Sequence, residues 1–197
     1  YRYHLHAYVL MKNHVHLLIE TTDTPLSKIL QGINQSYTIY FNRKNKTVGH
    51  LFQGRYKAIL CDKDEYLLTL VKYIHSNPIR AKVVKNLSEY IWSSHHAYAE
   101  KTCLSNLVDI EQVLRMFSEN KARARQLYKA YIGDRISVSR ETIYCTVDQR
   151  VLGEEHFVDY IMEKNVGELK KEALKKAYSL QAITKSIESV FRSYLKE

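Results

Sequence analysis

Residues 11–20 read MKNHVHLLIE, an apolar run that carries histidine at positions 14 and 16. In an extended strand, side chains at i and i+2 leave the same face. His14 and His16 therefore project in parallel, with Val15, Leu17 and Ile19 on the other side. Two imidazoles on one face of a rigid strand can chelate a metal ion or grip a phosphate. Upstream, YHLHAYVLM (residues 3–11) is rich in strand formers, and Lys12-Asn13 is a short polar break. Two strands around a two-residue break predict a β-hairpin.

The helices follow on both sides of a third strand. Thr24 is placed as an N-cap and Pro25 as a first helical residue. Behind them Leu26, Ile29, Leu30, Ile33, Tyr37, Tyr40 and Phe41 recur at helical spacing, until the basic RKNKTVG of residues 43–49. GRYKAILC (residues 54–61) reads as a strand. Asp62 then caps a helix, with Glu65 completing a capping-box pair. That helix runs through EYLLTLVKYIHSN to Pro78, where a break is expected because the residue before proline avoids the α region. PIRAKVV and YIWSSHHAY close the unit, with Trp92 assigned to its core. The expected fold is α+β: an antiparallel sheet flanked by helices over residues 1–100, then a mainly helical extension over 101–197. In the extension Asp109 caps DIEQVLRMFS, and NKARARQLYKAYIG stops at Gly133. A helix lies between Gly153 and Gly167, and an amphipathic one carries Leu180, Ile183, Ile187, Val190, Phe191 and Tyr194.

Composition narrows the class of function. Hydrophobic residues at 45% and charged residues at 26% describe a globular protein. No apolar run approaches the roughly 20 residues of a membrane helix, and no signal-peptide pattern opens the chain. Cys61, Cys103 and Cys145 match no metal or redox spacing, so a reducing cytoplasm is the expected setting. The net charge of +9 favours a polyanionic partner, and the 16 tyrosines among basic residues suit stacking on unpaired bases. The chain opens Tyr1-Arg2-Tyr3, already strand-like and without methionine, which reads as a start that lies elsewhere.

The segment YIHSNP (residues 73–78) supplies a partner for the histidines. On a helix Tyr73 and Asn77 project from one face, a turn apart. A divalent cation held by His14, His16 and the Asn77 carbonyl oxygen would keep positions open for phosphate oxygens. The Tyr73 phenol would then attack phosphorus, forming a covalent phosphotyrosine. An H-x-H strand, a single tyrosine and a Y-x-x-x-N helix are each weak signals alone. With an ordinary pKa of about 10 the phenol also needs a cationic or basic neighbour, which the spacing does not identify. Arg55 and Lys57, alternating with Tyr56, suit DNA phosphate contacts, as does Lys12 at the hairpin tip. Lys121, Arg123, Arg125 and Lys129 could track a DNA backbone or simply solvate a helix. His75, His95 and His96 have no evident partner.

NHVHLL (13–18), GHLFQGRYKAIL (49–60), YLLTLVKYIHSNPIRA (66–81) and WSSHHAY (92–98) together resemble the single-tyrosine HUH transposases, closest to their REP-associated branch. The resemblance covers about residues 1–100. It implies a ferredoxin-like HUH fold with His14-Val15-His16 as the HUH motif, Tyr73 as nucleophile and Asn77 as third metal ligand. The implied reaction is cleavage and rejoining of single-stranded DNA beside a hairpin, leaving a 5′-phosphotyrosine and a free 3′-hydroxyl, with magnesium or manganese. Imidazoles alone would have suggested a softer metal such as zinc. The family begins with a further strand and helix carrying a YHV-type motif that this chain lacks, and its members include both monomers and homodimers. VLGEEHFVDYI and SLQAITKSIESVF resemble an accessory DNA-binding region. A relaxase or rolling-circle initiator would supply a third histidine, but the next is His50; a histidine-triad hydrolase would want histidine where Leu18 stands. A non-catalytic hairpin-binding relative is the remaining alternative.

Overall fold

The computed structural model describes residues 1–100, 107–133, 151–152, 156–157 and 160–161, with the side chains of residues 64 and 65 set aside. Strands β1 (Tyr3–Leu10) and β2 (Val15–Thr21) form the expected antiparallel hairpin around Lys12-Asn13. The Met11 N–H donates to the His14 carbonyl at 2.8 Å, closing the turn. Neither Lys12 nor Asn13 takes a positive φ, so the turn has no need of glycine. His14 belongs to this turn and β2 begins one residue later, at Val15.

Register decides what shares a face. Val9 stands opposite His16, Ala7 opposite Leu18 and His4 opposite Glu20, with a bulge between Leu5 and Ala7. Opposed residues point the same way, so His16 projects from the face that carries Ala7 and Val9, both fully buried. Along the other edge of β1, the Leu10 N–H donates to the Trp92 carbonyl and the Ser94 N–H to the Tyr8 carbonyl.

Helix α1 (Leu26–Asn45) starts one residue later than the spacing suggests, with Pro25 itself at the N-cap. Its expected stripe is only partly covered: Ile29, Leu30 and Phe41 are buried, while Ile33, Tyr37 and Tyr40 are exposed. The strand expected over 54–61 shrinks to β3 (Leu60–Cys61), paired in parallel with β4 (Val151–Leu152). Helix α2 (Lys63–Arg80) does not break at Pro78. Proline removes the donor that would serve the Ile74 carbonyl. The Asn77 side-chain amide stands in, donating to the Tyr73 carbonyl at 2.9 Å and, more weakly, to the Ile74 carbonyl at 3.5 Å.

Short α3 (His95–Ala99), α4 (Ile110–Arg115) and α5 (Lys121–Gly133) complete the described helices. Leu67, Leu70, Val71 and Ile74 of α2 form one core with Ala7, Val9 and Met11, and Val113, Ala124, Tyr128 and Ile132 join it. The chain is thus α+β, an antiparallel hairpin packed with helices and followed by mainly helical structure among the described residues. Trp92 is 58% exposed rather than core, and its backbone carbonyl accepts from the Leu10 N–H. Asp109 sits at the N-cap of α4, but its carboxylate pairs with His4 at 3.2 Å instead of capping. Arg125 donates to the carbonyls of Ala97 and Tyr98 at 2.7 Å, closing the end of α3, and Lys121 pairs with Glu111. Of the helix expected between Gly153 and Gly167, the four residues within the described set are helical. The one expected around residues 180–194 and the Glu65 half of the capping pair lie outside the described residues and side chains.

A chain of buried hydrogen bonds joins these pieces. The Tyr8 N–H donates to Ser94 Oγ at 2.9 Å, and the Ser94 hydroxyl donates back to the Tyr8 carbonyl at 3.2 Å. With its hydrogen so committed, Ser94 Oγ accepts from His75 Nε2 at 2.7 Å. His75 Nδ1 must then accept from the Tyr128 hydroxyl at 2.8 Å, and Tyr128 accepts from His95 Nδ1, also at 2.8 Å. Every member is satisfied with both histidines neutral. Burial drives the same way: it holds His75 well below its ordinary range, helped by His95, and lowers His95 to about 4.

Two outcomes follow. Tyr128→Phe strands two buried ring nitrogens, and a urea titration should show a loss of about 1–3 kcal/mol. Unfolded, each imidazole takes up a proton below about pH 6.5, whereas the folded His95 resists until about 4. The unfolded state therefore binds more protons in that window, and stability falls as pH drops from 6.5 towards 4. On the order of 3 kcal/mol comes from His95 alone. Urea midpoints at a series of pH values should decline through this window, and His95→Gln should flatten the decline.

Candidate active site

The site forms where α2 crosses the face of β2 that carries His16. His14, at the end of the turn, and His16 stand with ring centroids 4.8 Å apart and planes at 89°. The Tyr73 ring meets His16 edge-on, centroids 6.0 Å apart at 80°. His14, His16 and Asn77 are half-buried, and Tyr73 is 6% exposed. His14 at the turn, His16 on β2 and Tyr73 on α2 thus stand together, with Asn77 one helical turn along, because register aims His16 at α2 and the apolar stripe of α2 seats it on β1.

The polar partners decide which atoms of these groups could hold a metal ion. His14 Nδ1 lies 2.6 Å from Asn13 Oδ1. An amide oxygen only accepts, so Nδ1 carries the proton and the ligating lone pair is on Nε2. Asn77 commits its amide nitrogen to the helix backbone, which leaves Oδ1 as its ligand atom. Among the described residues no three His, Cys, Asp or Glu side chains cluster as a metal site. A cation here must therefore complete its protein ligands with a group such as the Asn77 amide oxygen. Two imidazole nitrogens and one amide oxygen fit a divalent ion that keeps open positions.

A cation lies over the Tyr73 ring. The Arg80 guanidinium carbon stands 4.6 Å from the centre of the Tyr73 ring. Lys72, the other basic residue beside the tyrosine, is buried and donates to the Tyr131 carbonyl. Spacing missed Arg80 because the expected break at Pro78 removed it from the helix. It missed the role of His75 because a histidine among apolar residues names no partner, although its place inside YIHSNP marks it as buried.

Four further candidates lie at the surface. Arg55, Tyr56 and Lys57 are exposed in an irregular stretch before β3 rather than alternating on a strand, and Lys12 is exposed at the hairpin tip.

Residues 1–77 match the family described as Transposase IS200 like. The match supports a transposase-type, DNA-processing unit over that stretch, and it takes in His14, His16, Tyr73 and Asn77. No curated protein and no solved structure matches the chain significantly.

The donor set is tested by titrating Mn2+ into isotope-labelled protein. Side-chain resonances of His14, His16 and Asn77 should broaden before those of other residues. His16→Ala should weaken binding by about tenfold or more. Uniform broadening, or unchanged binding in the variant, would show that these residues do not hold the ion.

Proposed function

We propose that the chain is a metal-dependent single-stranded DNA endonuclease and strand transferase acting at hairpins of palindromic repeats. The observation that carries this reading is the packing of Tyr73 against His16, beside His14 and one helical turn from Asn77. The match of residues 1–77 to a transposase family and the net charge of +9 support a DNA substrate.

His14 through Nε2, His16, and Asn77 through Oδ1 would hold Mg2+ or Mn2+. When bound, the ion polarises the phosphodiester and offsets the charge that builds up on its oxygens. Tyr73 is the nucleophile. Its oxygen bonds to phosphorus as the bond from phosphorus to the 3′-oxygen breaks. The electron pair stays on that oxygen, which takes a proton from solvent while the phenol releases one. The products are a 5′-phosphotyrosine and a 3′-hydroxyl. The phosphodiester bond energy is retained, so another 3′-hydroxyl can reverse the step and join a new strand. The buried hydrogen bonds around His75 keep α2 in position for this chemistry.

Arg55, Lys57 and Lys12 are assigned to phosphates, with Tyr56 as a stacking platform for an unpaired base. Residues 1–100 act as the catalytic unit and 101–197 as a helical accessory DNA-binding region. The protein works in the cytoplasm on nucleoid DNA, as a monomer or as a homodimer.

Incubating the complete protein with a labelled hairpin oligonucleotide and Mg2+ or Mn2+ should yield a covalent adduct. It should disappear in Tyr73→Phe and in the His14→Ala, His16→Ala double variant, while salt-sensitive binding persists. An adduct that survives Tyr73→Phe removes the nucleophile from the account. Binding without cleavage by the intact protein, across hairpin substrates, would leave a non-catalytic hairpin binder.

A further inference from the structure

The reaction above places negative charge on the Tyr73 oxygen and then on the phosphoryl oxygens, where a nearby cation lowers the barrier. One stands beside this tyrosine, at the end of α2. The helix closes on Lys82, whose φ of 56° is left-handed. The Val83 N–H donates to the Pro78 carbonyl at 2.9 Å and the Lys82 N–H to the Ile79 carbonyl at 2.9 Å. This pair of bonds is a Schellman closure, and it makes Arg80 the last residue of regular helix. Arg80 is seven residues beyond Tyr73, two turns along the same face. Its backbone is therefore fixed, and its guanidinium rests over the Tyr73 ring at 4.6 Å.

Two features fit this cation for more than packing. Arginine keeps its charge throughout the accessible pH range, so it supports a phenolate without itself gaining or losing a proton. Only part of its fork is engaged by a ring face, and planar N–H groups match phosphate oxygens. Arg80 is exposed, whereas the neighbouring Lys72 is buried and committed to Tyr131.

Resting on the reading of Tyr73 as nucleophile, we propose that Arg80 is a further catalytic residue. Its guanidinium stabilises the Tyr73 phenolate and donates to a non-bridging oxygen of the phosphate under attack. As the tyrosine oxygen bonds to phosphorus and the 3′-oxygen departs, negative charge shifts from the phenolate onto the phosphoryl oxygens. Arg80, lying over the Tyr73 ring, would serve both locations while keeping all its protons. The phenol proton goes to solvent, and the leaving oxygen takes one from solvent.

The test uses the full chain, a hairpin oligonucleotide with a single-stranded flank, and Mn2+. Single-turnover adduct formation is measured against pH for the wild type, Arg80→Ala, Arg80→Gln and Arg80→Lys. Arg80→Ala and Arg80→Gln should lower the rate by about 10²-fold across the pH series. Arg80→Lys should recover part of the rate, with hairpin affinity changed less than about threefold in all variants. Rates near wild type in Arg80→Ala, with Tyr73→Phe inactive, would make Arg80 a packing residue and overturn the proposal.

Discussion

The neutral, fully buried imidazole of His75 is the interaction on which the other pieces depend. Its two nitrogens join α2 to two parts of the chain distant in sequence: β1 through Ser94 and the Tyr8 backbone, and α5 through Tyr128. Successive residues of a helix are about 100° apart around its axis. On that wheel the apolar stripe of Leu67, Leu70, Val71 and Ile74 has His75 along one margin, with Tyr73 and Asn77 along the other. A bond at His75 therefore sets the rotation of α2, and that rotation brings the Tyr73 ring against His16. Residues that touch no substrate thus determine where the phenol stands.

Much of this was legible in the sequence because it rests on local rules. Alternation and a two-residue polar break define the hairpin, and helical spacing defines α2. The H-x-H pair and the Y-x-x-x-N pair each share a face by simple periodicity. Adjacency between them followed only from the assumption that the apolar stripe of α2 covers the histidine-bearing face of β2.

What was hidden depended on compensation between residues. Proline should end a helix, but the Asn77 amide reaches the orphaned Ile74 carbonyl at 3.5 Å, and Arg80 is carried into place. GRYKAILC has the composition of a strand but finds a pairing partner only at its last two residues. Trp92 has the size of a core residue, yet its segment lines the edge of β1 through backbone bonds and leaves the ring outside. The apolar residues of α1 recur at helical spacing, yet Ile33, Tyr37 and Tyr40 stay exposed. In each case a tertiary arrangement overrode a local preference.

The central claim is that one tyrosine among the 16 in the chain carries the DNA. It is tested most directly by mapping the modification. The complete protein is reacted with a hairpin oligonucleotide and Mn2+, digested with protease and nuclease, and its phosphonucleotide-bearing peptides are sequenced by mass spectrometry. The account predicts a single modified site, Tyr73, inside the peptide containing YIHSNP. A nucleotide on any other tyrosine, or no covalent product from an active cleavage reaction, would contradict it.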